Sequence, residues 1–183
     1  MIGIKEEVHY ILQEGKKIKN EMSMEFDAIS SNEGLARVAV AAFIAPLNPT
    51  LEEVSDVKTA VSEAVTNAII HGYENTYGYG KHGQVTPVYC HIREGKVYLR
   101  CRIEKSILFV EVEDKGAGIE NLSQAMEPLF TTKPELERSG MGFAFMEAFM
   151  DDLDVESAPG QGTIVKMKKK LGSGAWLPEE GED

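Results

Sequence analysis

Three short stretches of this chain carry residue types that could do chemistry together. In SEAVTNAIIHG, residues 62–72, the polar side chains Glu63, Asn67 and His71 recur every four positions. Each step of four advances about 40° around a helix axis, so the three share one face. Val61, Ala64, Val65, Ala68 and Ile69 make the remaining positions apolar. A carboxylate, an amide and an imidazole on a helix otherwise fit for burial must be satisfied by something. In EDKGAGI, residues 113–119, an acidic residue and a Gly-X-Gly follow an apolar run. Asp114 can accept from an exocyclic amine, while Gly116 and Gly118 let backbone pass close to a ligand. In LFTTKPELERSGMGF, residues 129–143, Thr131, Thr132, Lys133, Arg138 and Ser139 lead into Gly140-Met141-Gly142. Glycines heading a helix expose backbone N–H groups at the positive end of its dipole, which suits phosphate. Lys133 and Arg138 could add charge-assisted contacts to the same oxygens.

Each stretch alone also has an ordinary explanation: a solvated helix face, an Asp-Gly turn, a glycine loop between helices. A dinucleotide fingerprint needs a third glycine and a helix opening there, and Ala117-Gly118-Ile119-Glu120 supplies neither. The phosphate-loop pattern GxxxxGK[ST] does not occur in the chain.

The elements that must position these residues can be read from periodicity and punctuation. Residues 22–28 alternate Met22, Met24, Phe26 and Ala28 with polar residues, which predicts a half-buried strand. Ser30-Ser31-Asn32-Glu33 is a capping-box start with Ser30 as N-cap and Glu33 reaching back. Leu35, Val38, Ala39, Ala42 and Phe43 then mark the expected core face of a helix ending near Pro46. Thr50-Leu51-Glu52-Glu53 repeats the signature and opens a long helix through Ile70, with Gly72 expected to end it in a left-handed conformation. Strands are expected over 85–92, 97–103 and 107–113, joined by turn-like Glu-Gly-Lys and Glu-Lys-Ser as an antiparallel meander. Helices over 122–127 and 143–150 and a closing hairpin through Ala158-Pro159-Gly160-Gln161-Gly162 complete the pattern. The expected fold class is α+β, a two-layer α/β sandwich with a mostly antiparallel mixed sheet and helices on one face.

At 183 residues the chain suits one domain. With 43% hydrophobic and 27% charged residues it has the composition of an ordinary globular protein. A net charge of −11 argues against nucleic acid as a direct partner, because phosphate binding rests on Lys and Arg. No apolar run has the length of a membrane span, and nothing at the N-terminus resembles a signal peptide. Cys90 and Cys101 have no metal-ligand spacing and fit two buried free thiols in a cytoplasmic protein.

Taken in order, EAVTNAIIHG, DKGAGI, GMG and Gly162-Thr163 resemble the nucleotide-binding boxes of the GHKL superfamily of gyrases, histidine kinases and MutL. The wording of VSEAVTNAIIHGYE and PLFTTKPELERSGMGFAFMEAFMDD is similar to the anti-sigma F factors, also called stage II sporulation AB proteins, from about residue 22 to 171. That resemblance implies the Bergerat ATP-binding fold and an anti-sigma factor that is also a protein serine/threonine kinase using ATP and Mg²⁺. It implies Glu63 as catalytic base, Asn67 as the Mg²⁺ ligand, and Asp114 holding the adenine amino group. Gly116 and Gly118 would line the base and Thr163 would support it. Residues 130–140 would form a lid, with Thr131, Lys133, Arg138 and Ser139 near the phosphates and Gly140, Met141 and Gly142 offering backbone N–H groups. A homodimer would hold a sporulation sigma factor away from RNA polymerase, and phosphorylation on a serine would inactivate the anti-anti-sigma factor. Arg37 matches a family arginine that contacts both partners. A general-stress anti-sigma kinase, or a nucleotide-gated sigma-binding module without phosphotransfer, would share most of these features. A complete histidine kinase would need a helical hairpin with an acceptor histidine, and His9 is poorly placed for that. Residues 1–21 are expected as an extension, 22–171 as the kinase domain with an insertion at 75–93, and 172–183 as a flexible acidic tail.

Overall fold

The computed structural model describes residues 19–73, 95–127, 130 and 140–172. Residues 1–18 of the expected extension, the strand over 85–92, Cys90, the insertion, residues 173–183 of the tail, and Thr131, Lys133, Arg138 and Ser139 lie outside the described residues. Residues 19–21, expected in the extension, instead begin the first strand. The elements run β1 (Lys19–Asp27), α1 (Ser31–Ile44), a 3-10 turn (Ala45–Leu47), α2 (Leu51–Asn67), a π turn (Ala68–Gly72), β2 (Lys96–Glu104), β3 (Ile107–Asp114), α3 (Leu122–Ala125), α4 (Gly142–Phe149), β4 (Asp152–Ala158) and β5 (Gly162–Lys170).

The described strands form one sheet in the order β1-β2-β3-β5-β4, and every pairing is antiparallel. Residues directly opposite share a face, so the register sorts the side chains into rows. Met24, Leu99, Val112, Val165 and Val155 form one inward row, and Met22, Cys101, Val110, Met167 and Leu153 the next. Helices α1 and α2 pack on this apolar face, with α4 against α2 and β4. Burial pushes the Cys101 thiol up to about 12, so it behaves as a core residue rather than a nucleophile. The outer face carries alternating charge: Arg100, Glu111, Lys166 and Asp154 lie in one row, and Arg102 stacks 4.3 Å above the Phe109 ring. Such exposed pairs add little stability but disfavour a shifted register. Among the described residues no helix is long and apolar enough to cross a membrane.

Three local expectations are corrected. Ser30 sits in the helical region (φ −57°, ψ −28°) instead of the extended one an N-cap adopts, so its hydroxyl makes no cap bond and Glu33 N–H donates to Ser30 O at 3.4 Å instead. The buried stripe of α1 is Ala36, Val40 and Ile44, while Leu35 and Val38 are 49% and 64% exposed and Ala42 is exposed as well. Ala39 and Phe43 are half-buried at the margin of the packed face. Small Ala36 at the contact lets α1 lie close to its neighbours, and the i, i+4 stripe it starts with Val40 and Ile44 leaves Leu35 and Val38 on the outer side. Helix α2 also ends differently. It widens into a π turn after Asn67, and Gly72 has no positive φ. Its missing side chain serves packing instead: a Cβ there would stand 2.7 Å from Asp114 Oδ1.

Candidate nucleotide site

The inward rows end at Phe26, Val97, Asp114, Thr163 and Ser157, opposite one another across all five strands. Here the apolar face stops and polar groups begin. A cavity of about 660 Å³ opens at this end, walled by α2, its π turn, the segment after β3, α3 and the start of α4. That size suits a small-molecule ligand. Among the described residues its walls include Glu63, Asp114, Glu120 and Glu127 but no lysine or arginine.

Asp114 is 4% exposed, and burial pushes its carboxyl up to about 6. The Gly116 N–H donates to Oδ1 at 2.9 Å, and the Thr163 backbone N–H also bonds it, which partly offsets the desolvation. Gly118 lines the cavity, whereas Gly116 packs beside it, where a Cβ would collide at 2.0 Å with the Gly72 carbonyl oxygen. Gly118 adopts φ +68°, and a Cβ there would meet the Ala158 carbonyl oxygen at 2.0 Å. Only glycine lets these segments come so close. The close approach is sealed by Ala117 N–H donating to Gly72 O (2.8 Å) and Gly160 N–H to Ala117 O (2.7 Å).

Glu63, Asn67 and His71 all line the cavity. Gly140, with φ +60°, turns the chain into Met141 and Gly142, which also line it. A Cβ on Gly142 would stand 3.2 Å from Glu63 Oε2 and from Asn67 Nδ2. The first turn of α4 is therefore pressed against the carboxylate and amide of α2. Among the described residues no three His, Cys, Asp or Glu side chains converge as a metal cage. A hard cation beside Asn67 would then take most of its oxygen ligands from a bound phosphate and water, as Mg²⁺ commonly does.

Two contributors carry no motif. The Tyr73 hydroxyl donates to Lys96 O (2.6 Å) and accepts from Lys115 N–H (2.8 Å), tying the exit of the π turn to β2 and to the segment after Asp114. Ser157 Oγ accepts from Ile119 N–H and donates to Gly162 O, each at 2.9 Å. Its proton is then spent, so the Thr163 hydroxyl 2.9 Å away donates to it and keeps acceptor capacity beside the cavity. An aromatic just past an apolar helix and a serine near a glycine turn are too common to single out from sequence. Arg37 lies on α1, exposed and apart from the cavity walls.

This arrangement has relatives. A family profile described as "Histidine kinase-like ATPase domain" matches residues 28–169. The anti-sigma F factor of Bacillus licheniformis is 53% identical over 154 residues, covering 84% of this chain and 94% of the relative. The chain belongs to the anti-sigma F factor family. Further anti-sigma F factors, from Bacillus subtilis (51% identical, 84% of this chain, 94% of the relative) and Clostridium acetobutylicum (55%, 84% and 96%), agree. The RsbU and RsbW domains of a Mycobacterium tuberculosis protein superpose with a TM-score of 0.53 over 83% of this chain and 32% of theirs. At 16% identity that likeness speaks for the fold of the family alone.

Proposed function

We propose that this protein is an ATP-dependent anti-sigma factor that also phosphorylates an anti-anti-sigma factor on serine. The observation that carries this reading is Glu63 and Asn67 meeting the first turn of α4 in the cavity that holds buried Asp114. Asp114 accepts from the adenine amino group, with Gly118 and Thr163 beside the base. Asn67 would hold Mg²⁺ through its carbonyl oxygen, and the N–H groups of Gly140, Met141 and Gly142 would face the phosphates. The ion would offset phosphate charge that the acidic walls otherwise repel. Lys133 and Arg138, with Thr131 and Ser139, supply further phosphate contacts from the lid. Glu63 takes the proton of the acceptor serine as that oxygen bonds to the γ-phosphorus and the bond to the ADP oxygen breaks. On this reading residues 22–171 are the working domain, two copies form a dimer, and Arg37 meets the sigma factor and the anti-anti-sigma factor in turn.

The test uses the full chain with Mg-ATP, the cognate anti-anti-sigma protein and the sporulation sigma factor. Phosphoserine on the first protein, and capture of the second with ATP but not without nucleotide, is the expected result. Nucleotide-dependent capture without phosphoserine would replace the kinase by a gated binding module. Absence of both would end the proposal.

A further inference from the structure

Glu33 occupies the position from which a capping-box glutamate would turn back to the helix start, yet its carboxylate points across to α2. Oε1 accepts the hydroxyl hydrogen of Ser62 and lies 3.5 Å from Nε of Arg37. The Glu33 side chain is 22% exposed and that of Arg37 44% exposed, so the pair lies at the margin of the helix contact, partly shielded from water. Ser62 immediately precedes Glu63. It turns toward α1, whereas Glu63 turns into the cavity. One carboxylate oxygen thus joins a surface arginine to the helix turn that carries the proposed base.

An exposed arginine ordinarily samples many rotamers, and ordering it on binding opposes association. Arg37 Nε lies 3.5 Å from a carboxylate that is itself held by Ser62. This leaves the outer edge of its planar fork for a partner's carboxylate or backbone carbonyl. Without the Ser62 hydroxyl, Glu33 would be free to return to the helix start, and the arginine would lose its anchor. We propose that Ser62 is a positioning residue for partner recognition, acting through Glu33 to hold Arg37 in the orientation that meets the protein substrate. This inference rests on the reading of Arg37 as a partner contact and of the protein as a kinase.

The experiment compares Ser62→Ala, Ser62→Thr and Arg37→Ala, alone and combined, in the full chain. Partner dissociation constant, KM and kcat for the anti-anti-sigma protein, nucleotide affinity and thermal midpoint are read for each. Ser62→Ala should weaken partner binding and raise KM roughly 5-fold, leaving kcat and nucleotide affinity unchanged, as expected for loss of one hydrogen bond to a charged group. Ser62→Thr, which keeps the hydroxyl, should restore both values. In the Arg37→Ala background Ser62→Ala should add nothing, because the two act as one unit. A full Ser62→Ala effect in that background, or none with Arg37 present, overturns the proposal. Equal loss in Ser62→Thr that follows its thermal midpoint also overturns it, marking a packing role. If Arg37→Ala leaves partner binding intact, the partner-contact reading fails and the proposal falls with it. If phosphotransfer is absent but partner binding is measurable, the kinase reading fails while the binding constants still decide the role of Ser62.

Discussion

Helices α1 and α2 both open on a hydroxyl residue with glutamate three positions later, and they use it in opposite ways. At α2, Thr50 is extended (φ −66°, ψ 163°). Its hydroxyl accepts from Glu53 N–H at 3.1 Å, and Glu53 accepts from Thr50 N–H at 2.7 Å. The Glu53 carboxylate, 8% exposed, also takes Gly172 N–H at 3.3 Å, so the cap doubles as an anchor for the end of β5. At α1 the hydroxyl of Ser30 caps nothing, and Glu33 joins Ser62 and Arg37. The pattern offers a local bond; a better-placed partner from another helix can outcompete it. The faces differ in the same sense. Past its exposed first residue Leu51, helix α2 buries Val57, Ala60, Val61, Ala64 and Val65 and turns its polar stripe into the cavity, whereas α1 buries Ala36, Val40 and Ile44 and exposes Leu35 and Val38. One helix is built for the site and the other presents a surface.

The contrast can be broken or sharpened by measurement. The largest effect is expected on the cavity side of α2. Glu63→Gln should lower the phosphotransfer rate by roughly 10²–10⁴-fold while leaving nucleotide binding in place. A variant with full activity would remove the base from α2.

Next comes Asp114, against which the end of the π turn packs. An ordinary aspartate titrates near 3.8, and here burial raises this to about 6. Between those values the native state holds more protons than the unfolded state, so stability falls as pH rises through the window and is level above it. A raised acid opposes folding at neutral pH. Asp114→Asn should therefore stabilise the protein at pH 7 by on the order of 2–3 kcal/mol and flatten urea midpoints between pH 4 and 6. It should also weaken ATP binding. Parallel pH profiles for the variant and wild type would show that the carboxyl carries no such strain.

Smaller effects separate the two helix starts. Glu53→Ala should cost about 2 kcal/mol in denaturant unfolding, since it strands two backbone donors, and Thr50→Ala about 1 kcal/mol. Ser30→Ala, with no cap bond to lose, should stay within about 0.5 kcal/mol. Equal losses at both starts would erase the distinction. The smallest change is expected at Leu35→Ser and Val38→Ser, also within about 0.5 kcal/mol, because both side chains already meet water. A loss several times larger would mean that this face of α1 is covered in solution.

Much of the molecule could be read from its order of residues alone. The alternation of Val97, Leu99, Cys101 and Ile103 marked β2, the Thr50–Glu53 box marked the start of α2, and Glu63, Asn67 and His71 marked a shared face. Asp114 with its glycines and the Gly-Met-Gly start of α4 marked the rest of the cavity. These signals are local: a bond three residues away or a period of two or 3.6 is written into consecutive positions. The three-dimensional structure decided what depends on distant competitors. It turned Glu33 from its own helix toward Ser62, rotated α1 onto Ala36, Val40 and Ile44, and opened the π turn that sets Gly72 beside Asp114 and Gly116. It also recruited Tyr73 and Ser157, whose hydroxyls join segments far apart in the chain. A donor or a buried face goes to whichever partner is nearest once the chain has folded, and that neighbour is often not a neighbour in sequence.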